Sequence, residues 1–360
     1  MKKIRILIAD DSVVYRSQIR VALQSFAYAE VVGAASNGRF AIERLLLNPV
    51  DLLILDLEMP EVDGIQTLRE ISRRGLNCKV LVFSSASKHG AEITLEALRL
   101  GASDFITKPD GTSSQERPSD KIGQLLGPKI QALFPEVVEG TPVTLSPVVG
   151  TFYPRIIWDL LRPQIVVIGS STGGPTVLEK IFSELSTPIN CPIIIAQHMP
   201  PIFTATLAER ISRMSGIPAK EAAHGEVLVK NCIYIAPGDY HVRLSGTPDR
   251  TVISLDNGPK INSVRPAVDP LFSTAATIFK NQCLGFVLTG MGADGKVGAE
   301  IIKQNGGAVV IQEEKSCVVF GMPGAVFSSG AFDRIARPAE IIEILREKVS
   351  VTNSVERLSL

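Results

Sequence analysis

The stretch Leu52-Leu53-Ile54-Leu55-Asp56-Leu57-Glu58-Met59-Pro60 decides the fold of the N-terminal part of the chain. Four apolar residues run directly into Asp56, and the earlier apolar run Ile4–Ala9 ends in the same way at Asp10 and Asp11. Short runs that are apolar throughout predict strands buried on both faces of a parallel sheet. Because the carboxyl ends of such strands meet at one edge, the three aspartates are expected to gather there, where they would suit a hard divalent cation.

The rest of the N-terminal part alternates short apolar runs with amphipathic, helix-like stretches. This alternation predicts a five-stranded, doubly wound α/β domain. Its predicted strands are Arg5–Ala9, Val31–Ala35, Leu52–Leu55, Val80–Phe83 and Asp104–Thr107. Ser84 and Lys108 follow two of these strands and should reach the same edge as Asp56. A carboxylate nucleophile, a bound cation, an ammonium group and a hydroxyl together supply what an acyl phosphate requires.

This arrangement resembles the receiver domain of two-component response regulators over Met1–Phe134, and the resemblance implies that Asp56 accepts a phosphoryl group. It also implies a Mg²⁺ site and a set of switch residues, namely Asp10, Asp11, Asp56 and the Glu58 carbonyl for the metal, with Ser84, Phe105 and Lys108 for the switch. The last helix of the domain is only weakly predicted, over Lys121–Phe134, because Pro128 is costly inside a helix.

Length and composition predict two domains. The chain has 360 residues, too many for one domain of average size. We expect the first domain at 1–134, a linker rich in Pro, Val, Thr and Gly within 135–163, a second domain at 164–350 and a tail at 351–360. The second domain is predicted to be a Rossmann-like α/β fold with a mostly parallel sheet, with strands at Ile165–Ile168, Ile193–Ala196, Gly285–Leu288 and Ala308–Ile311.

Charge and cysteine content limit the classes of function. The 37 basic and 37 acidic side chains balance, and the chain offers no basic recognition helix, so we expect no nucleic acid as partner. Five widely separated cysteines without metal-ligand spacing predict reduced thiols and a cytoplasmic protein. Asp10 and Asp11 cut the first apolar run short of a signal-peptide core or a membrane span, so membrane insertion is not expected.

A glycine-rich turn follows the first predicted strand of the second domain. Gly169-Ser170-Ser171-Thr172-Gly173-Gly174-Pro175 stands between that strand and an apolar helix. Small residues at a helix N-terminus can hold a phosphate, which would make the second domain a receiver-controlled module that binds a nucleotide phosphate. The same turn contains Gly-x-Ser-x-Gly spacing around Ser171, which is typical of an exposed serine nucleophile. The turn alone does not decide between the two.

A serine nucleophile requires a base and a group that orients the base. Of the four histidines, His198 alone follows a buried strand, and Asp294 follows another in a glycine-rich loop. The three residues should therefore meet at one sheet edge as a catalytic triad. A site that only binds phosphate would require neither His198 nor Asp294. Their order along the chain, Ser171, His198, Asp294, differs from the Ser-Asp-His order of α/β-hydrolases.

Further motifs carry a resemblance to the CheB family of chemotaxis protein-glutamate methylesterases. They are Ser171 to Gly174, Gln197 to Pro201, Ala236 to Asp239, Arg265 to Asp269, Leu288 to Gly292 and Cys317 to Pro323. The resemblance assigns the triad to Ser171, His198 and Asp294, and the oxyanion contacts to Thr172 and the Met291 N–H. Ser170 stands where that family is expected to carry alanine.

The resemblance also implies a reaction and its partners. The expected reaction is hydrolysis of glutamate γ-methyl esters on methyl-accepting chemotaxis receptors, with release of methanol, together with deamidation of receptor glutamines. The expected phosphodonor is a chemotaxis histidine kinase. Mg²⁺ is expected in the receiver domain, and no cofactor is expected in the esterase domain.

Overall fold

The computed structural model describes residues 3–109, 116–138, 153, 156–185 and 188–351. The chain divides into two compact units, residues 1–144 and 145–360. The predicted domain borders stay predictions, since most of the predicted linker and nearly all of the predicted tail lie outside the described residues. None of the helices in these ranges has the length and apolar character that a membrane crossing requires.

The N-terminal unit alternates strands and helices. Its elements are β1 Ile4–Ala9, α1 Val13–Gln24, β2 Ala29–Ala35, α2 Gly38–Leu47, β3 Leu52–Asp56, α3 Gly64–Arg73, β4 Lys79–Ser84, α4 Lys88–Arg99, β5 Asp104–Thr107, α5 Pro118–Leu133 and the short α6 Pro135–Val138. The sheet order is β2-β1-β3-β4-β5 and every pair is parallel, so the predicted five-stranded doubly wound fold is confirmed.

Side-chain caps explain where the first four helices begin. Ser12, Asn37, Asp63 and Ser87 each precede a helix and accept a hydrogen bond from a backbone N–H of its first turn. Such caps satisfy donors that have no partner inside the helix. β1 and β3 pair directly and in parallel, which places the aspartates at their carboxyl ends beside each other.

The weakly predicted final helix over Lys121–Phe134 is present as α5, which begins earlier, at Pro118, and is continuous through Pro128. Proline removes one backbone donor and strains the preceding turn. Ile122, Leu126 and Ile130 are nevertheless fully buried at a spacing of one helical turn. The apolar area that these side chains bury in the unit outweighs the local cost of the proline, which propensity alone could not reveal.

The C-terminal unit is built on a second parallel sheet. Its elements are β6 Ile165–Ser170, α7 Gly174–Glu184, β7 Ile193–Gln197, α8 Phe203–Ser215, β8 Ala219–Glu221, β9 Ile233–Ile235, β10 His241–Thr247, β11 Arg250–Asp256, α9 Val268–Phe279, β12 Cys283–Val287, α10 Lys296–Gln304, β13 Ala308–Gln312, α11 Gly321–Ser329, β14 Arg334–Ala336 and α12 Pro338–Val349. Short 3₁₀ turns occur at 158–160, 280–282 and 314–316.

Seven of these strands form one sheet in the order β14-β13-β12-β6-β7-β9-β8, with every pair parallel. β10 and β11 form a separate antiparallel hairpin. All residues of β6, β7, β12 and β13 are buried, as expected for strands covered on both faces. The predicted parallel α/β fold is confirmed, although β8, β9 and β14 are too short for a hydropathy pattern to reveal them.

Candidate functional site

The acidic residues of the N-terminal unit meet at the carboxyl edge of its sheet. Asp10 and Asp11 follow β1 and Asp56 ends β3, and one carboxylate oxygen from each lies within 4.8 Å of the other two. Ser84 ends β4 and Lys108 follows β5, so four neighbouring strands deliver polar groups to this edge. Asp10 and Asp56 are buried, whereas Asp11 is exposed.

Lys108 is the cation of this cluster. Its Nζ lies 2.7 Å from Asp56 Oδ2 and 3.2 Å from Asp10 Oδ2, and 4.9 Å from the centre of the Tyr15 ring. Burial by itself would lower the pKa of Lys108, but the two carboxylates outweigh it and the pKa is raised. The side chain therefore stays charged and draws the two carboxylates together.

The negative charges of Asp10 and Asp56 remain poorly compensated despite Lys108. Burial raises the pKa of Asp56 to about 6 and also raises the pKa of Asp10. Asp10 Oδ2 is buried and accepts no regular hydrogen bond within the described part of the chain. These donors fit a hard divalent cation, for which carboxylate oxygens are the preferred ligands. Glu58 lies just beyond the cluster, and its N–H lies 3.3 Å from Asp56 Oδ1.

Two further predicted residues of this unit lie on the neighbouring strands. Ser84 is buried, and its Oγ lies 2.7 Å from the hydroxyl of Thr94 on α4 and 3.3 Å from the carbonyl oxygen of Gly90. Phe105 is buried on β5, with the ammonium group of Lys129 on α5 6.0 Å from its ring centre. Ser84 therefore contacts α4, and Phe105 lies beside α5.

The glycine-rich turn of the C-terminal unit connects β6 to α7 and separates its two serines. Ser170 is fully buried, and its Oγ donates to Gln197 Oε1 at 2.6 Å. Ser171 is partly exposed, and its carbonyl accepts from Gln197 Nε2 at 3.0 Å. Gly173 has a φ of 79°, and a Cβ there would lie 2.5 Å from Val318. The turn therefore requires glycine, and it leaves Ser171 as the accessible hydroxyl.

His198 lies beside this turn because β6 and β7 pair in register. Ser170 pairs with Gln197, and the N–H of His198 donates to the Ser170 carbonyl at 3.0 Å. The Nε2 atom of His198 lies 2.8 Å from Asp294 Oδ2, which leaves Nδ1 as the nitrogen available to Ser171. Within the described residues, the Ser171 hydroxyl and the imidazole share no hydrogen bond, a looseness that is common before substrate binds.

Asp294 is held firmly in the loop after β12, beside β6 in the sheet. Burial opposes its charge, but the hydrogen bond and charge of His198 and several backbone donors outweigh burial, so the pKa of Asp294 is lowered. Besides His198, its carboxylate accepts hydrogen bonds from the Asn262 amide and from the backbone N–H groups of Val268, Asp269 and Gly295. The carboxylate is therefore ionised and fixed in one orientation.

Two other histidines of this unit have structural partners. His241 is buried, and its ring accepts from the Ala267 N–H at 3.1 Å and lies 3.0 Å from the Pro259 carbonyl. His224 accepts from the Leu255 N–H at 3.1 Å. These contacts support the choice of His198, which alone of the three contacts a buried carboxylate.

The predicted oxyanion contacts lie on two neighbouring loops. Thr172 is buried in the turn, and its carbonyl accepts from Thr289 Oγ1 at 2.9 Å. The N–H of Met291 donates to no group among the described residues, so it is available to a ligand. Thr289 joins the two loops, because Ser171 N–H also donates to its carbonyl at 3.0 Å.

Sequence reasoning missed several residues that support these sites. Gln197 and Thr289 stand inside motifs noted in the sequence, and their positions beside His198 and before Met291 could have pointed to them. Asn262 and Asp269, which surround Asp294, come from a loop and a helix distant in sequence. Nothing in the sequence pattern predicts the contact of Asn262 with Asp294.

Comparisons with known proteins find relatives of both units. Residues 166–345 match the CheB methylesterase family, and residues 6–114 match the response regulator receiver domain. The protein-glutamate methylesterase/protein-glutamine glutaminase of Trichodesmium erythraeum is 42% identical over 93% of this chain and 96% of its own length. The protein of the same name from Thermotoga maritima is 39% identical, over 96% of this chain and 98% of its own length.

A solved structure matches the C-terminal unit. The crystal structure of the Thermotoga maritima CheB methylesterase catalytic domain is 44% identical, has a TM-score of 0.50 and covers 52% of this chain and 99% of that one. The full-length relatives and the family matches cover both units. The chain therefore belongs to the CheB methylesterase family, with a response regulator receiver domain preceding the methylesterase domain.

Proposed function

We propose that this protein hydrolyses glutamate γ-methyl esters on methyl-accepting chemotaxis receptors under control of phosphorylation, and that it deamidates receptor glutamines to glutamate. The observation that carries the proposal is the meeting of Ser171, His198 and Asp294 at adjacent strand ends in a chain of this family. Nothing favours a nucleotide-binding module, since a phosphate cradle would need neither the imidazole nor its buried carboxylate.

The proposed chemistry divides into acylation and deacylation. Ser171 Oγ attacks the ester carbonyl while Nδ1 of His198 takes its proton, and Asp294 stabilises the imidazolium that forms. The imidazolium returns the proton to the leaving methoxide, so methanol departs and an acyl-serine remains. Water then attacks the acyl-serine with the same base, which restores Ser171 and releases glutamate. With a glutamine side chain the leaving group is ammonia.

The tetrahedral intermediates of both steps carry a negative oxygen. We assign its stabilisation to Thr172 and to the N–H of Met291, which lie on the two loops that Thr289 joins. A donor that is already oriented costs no reorganisation when the charge develops. The turn around Ser171 also ends at the N-terminus of α7, whose dipole favours negative charge.

The N-terminal unit supplies the control. We assign Asp56 as phosphoacceptor, with Asp10, Asp11, Asp56 and the Glu58 carbonyl as the groups that would hold Mg²⁺. The ion, when bound, neutralises charge on the phosphoryl oxygens. Lys108 would move from the carboxylates to the phosphoryl group, and Ser84 would exchange its contact with Thr94 for one with the same group, which frees α4. We assign Phe105 on β5 as the third switch residue.

The proposed partners and location follow from the family. The phosphodonor is a chemotaxis histidine kinase, and the protein works in the cytoplasm, where the methylated parts of the receptors would be reached. The enzyme does not insert into the membrane or bind nucleic acid, and its methylesterase domain works without a cofactor.

The test is methanol release from methylated receptor membranes, with and without a small phosphodonor. We expect release by the wild-type chain, faster release with the phosphodonor and Mg²⁺, and none by Ser171→Ala. Absence of methanol from the phosphorylated wild-type chain would refute the proposed activity. An unchanged rate on phosphorylation would refute the proposed control.

A further inference from the structure

A second buried carboxyl group lies beside Asp294. Asp269 occupies the first turn of α9, and Nδ2 of Asn262 lies 3.1 Å from Asp269 Oδ2 and 3.0 Å from Asp294 Oδ1. The N–H of Asp269 also donates to Asp294 Oδ1, at 3.2 Å. The Asn262 amide therefore bridges the two carboxyl groups. The backbone N–H of Asp269 holds the Asp294 carboxylate as well.

The two carboxyl groups differ in how well their charges are compensated. Asp294 accepts from His198 and from four other donors, whereas among the described residues Asp269 accepts from two, the Asn262 amide and the Gly298 N–H at 2.8 Å. Two adjacent buried carboxyl groups resist double ionisation. Burial, followed by the charge of Asp294, raises the pKa of Asp269 to about 6, and the pKa of Asp294 is lowered.

Few charged groups face Asp269. The loop after β12 carries Asp294, which in turn contacts His198. From α10 the Gly298 amide contacts Asp269, and Lys296 in the same helix forms no ion pair with either carboxylate among the described residues. The ring of His241 on β10 forms hydrogen bonds with the loop that precedes α9. Within the described ranges, no lysine or arginine side chain neutralises Asp269.

We propose that Asn262 and Asp269 are positioning residues for the reaction, which hold the Asp294 carboxylate in the orientation in which it accepts the hydrogen bond of His198. The inference rests on the proposed function. Asn262, together with the N–H groups of Asp269 and Gly295, holds Oδ1 of Asp294, which leaves Oδ2 directed at the imidazole. Its φ of 52° is left-handed, a conformation that asparagine tolerates better than most residues.

Asp269 adds an electrostatic effect to this orientation. Below its pKa it is neutral, and the negative charge of the pair resides on Asp294. Above its pKa a second negative charge stands behind Asp294 and stabilises the imidazolium that forms when His198 takes the proton of Ser171. Removal of the Asp269 charge should therefore leave that imidazolium less stabilised, and the acidic limb of the pH–rate profile should move to lower pH.

The experiment uses the full-length chain and measures kcat, KM and the pH profile of methanol release. Loss of the outer hydrogen-bond partner of a metal-bound histidine costs roughly tenfold to a hundredfold, and by analogy we expect Asp269→Asn to lower kcat about tenfold at unchanged KM. Its acidic limb should move to lower pH. Asn262→Gly should also lower kcat at unchanged KM. Ser263→Gly is the control, since Ser263 is likewise left-handed, with a φ of 65°, but holds neither carboxylate.

A second readout does not depend on turnover. ¹⁵N-histidine NMR of the same variants reports the hydrogen bond between the His198 ring and Asp294, and we expect the ring resonances to move in Asp269→Asn and in Asn262→Gly but not in Ser263→Gly. Wild-type kcat and unchanged His198 resonances in Asp269→Asn would overturn the proposal, as would a loss of activity explained by a lower melting temperature. If the wild-type chain released no methanol, the proposed function would fail, while the NMR comparison would still test this inference.

Discussion

The two sheet edges place carboxylates in opposite situations. At the edge of the N-terminal unit, Asp56 accepts hydrogen bonds from Lys108 and from one backbone N–H, and its pKa is raised to about 6, chiefly by burial. At the edge of the C-terminal unit, Asp294 accepts from five donors and its pKa is lowered. Both carboxylates are buried, Asp56 at the end of a parallel strand and Asp294 in the loop after one. Burial alone therefore does not decide whether the pKa is raised or lowered.

The number of donors separates a reactive carboxylate from a positioning one. A buried carboxylate with few donors gains much from a cation or a phosphoryl group, because its charge is otherwise poorly compensated. A carboxylate with a full set of donors has nothing to gain from a ligand, but it can hold an imidazole in one orientation. The first edge is therefore suited to binding and modification, and the second to fixed geometry.

The largest expected effect concerns the proposed nucleophile of the second edge. Ser171→Ala should lower kcat for methanol release by about 10⁴-fold or more, because no other hydroxyl lies in the turn at the reacting position. Ser170→Ala is the matched control. It removes only the buried hydrogen bond to Gln197, so its effect should be mild. Equal losses in both variants would contradict the assignment of Ser171.

Loss of the proposed phosphoacceptor should abolish phosphorylation at the first edge. Asp56→Asn should form no alkali-labile phosphoryl label with a small phosphodonor, and a chelator should prevent labelling of the wild-type chain. Glu58→Gln is the control, since only the backbone carbonyl of Glu58 belongs to the proposed metal site. Labelling of Asp56→Asn at the wild-type rate would show that another group accepts the phosphoryl.

The raised pKa of Asp56 predicts how Mg²⁺ and pH act together. A carboxyl group whose pKa is raised in the folded state costs stability as the pH rises from its ordinary value towards about 6, by about 1.4 kcal/mol per pKa unit. Mg²⁺ competes with the proton for this carboxylate. Saturating Mg²⁺ should therefore raise the melting temperature of the chain more at pH 8 than at pH 5.

The control for this measurement is Asp56→Asn, which has no titrating carboxyl at the centre of the cluster. Its melting temperature should respond weakly to Mg²⁺ at both pH values. An equal response of the wild-type chain at pH 5 and pH 8 would mean that Asp56 is not the group whose ionisation limits cation binding.

The smallest expected effect concerns the residue that joins the loops of the second edge. Thr289 Oγ1 contacts the Thr172 carbonyl at 2.9 Å and accepts from the N–H groups of Val318 and Val319 at 3.1 Å. Thr289→Val keeps the shape but leaves buried polar groups unpaired, which should lower the free energy of unfolding by about 1–3 kcal/mol and also lower kcat. Thr277→Val, at an exposed hydroxyl on α9, should change little in urea unfolding. Equal stability of the two variants would contradict the joining role of Thr289.

The sequence predicted the position of a residue correctly where that residue stands at the end of a long apolar strand. Asp56, Ser171 and His198 each follow such a strand, and a register match then brings Ser171 and His198 together. Sequence supported α5 only weakly because of Pro128, whereas in the structure Ile122 and Leu126 bury enough apolar area to keep Pro128 in a helix. Propensity is a local quantity and does not include that packing.

The sequence by itself determined the two parallel sheets, the edge of each that carries polar groups, and the residues that end the strands, because alternation and strand-end position are local patterns. Only the tertiary structure decided the ionisation and orientation of these groups. The contacts of Asp294 with Asn262 and His198 join segments 32 and 96 residues away in sequence. Burial and hydrogen-bond donors arrive from such distant segments, and they set which carboxylate stays available to a cation and which is fixed against a histidine.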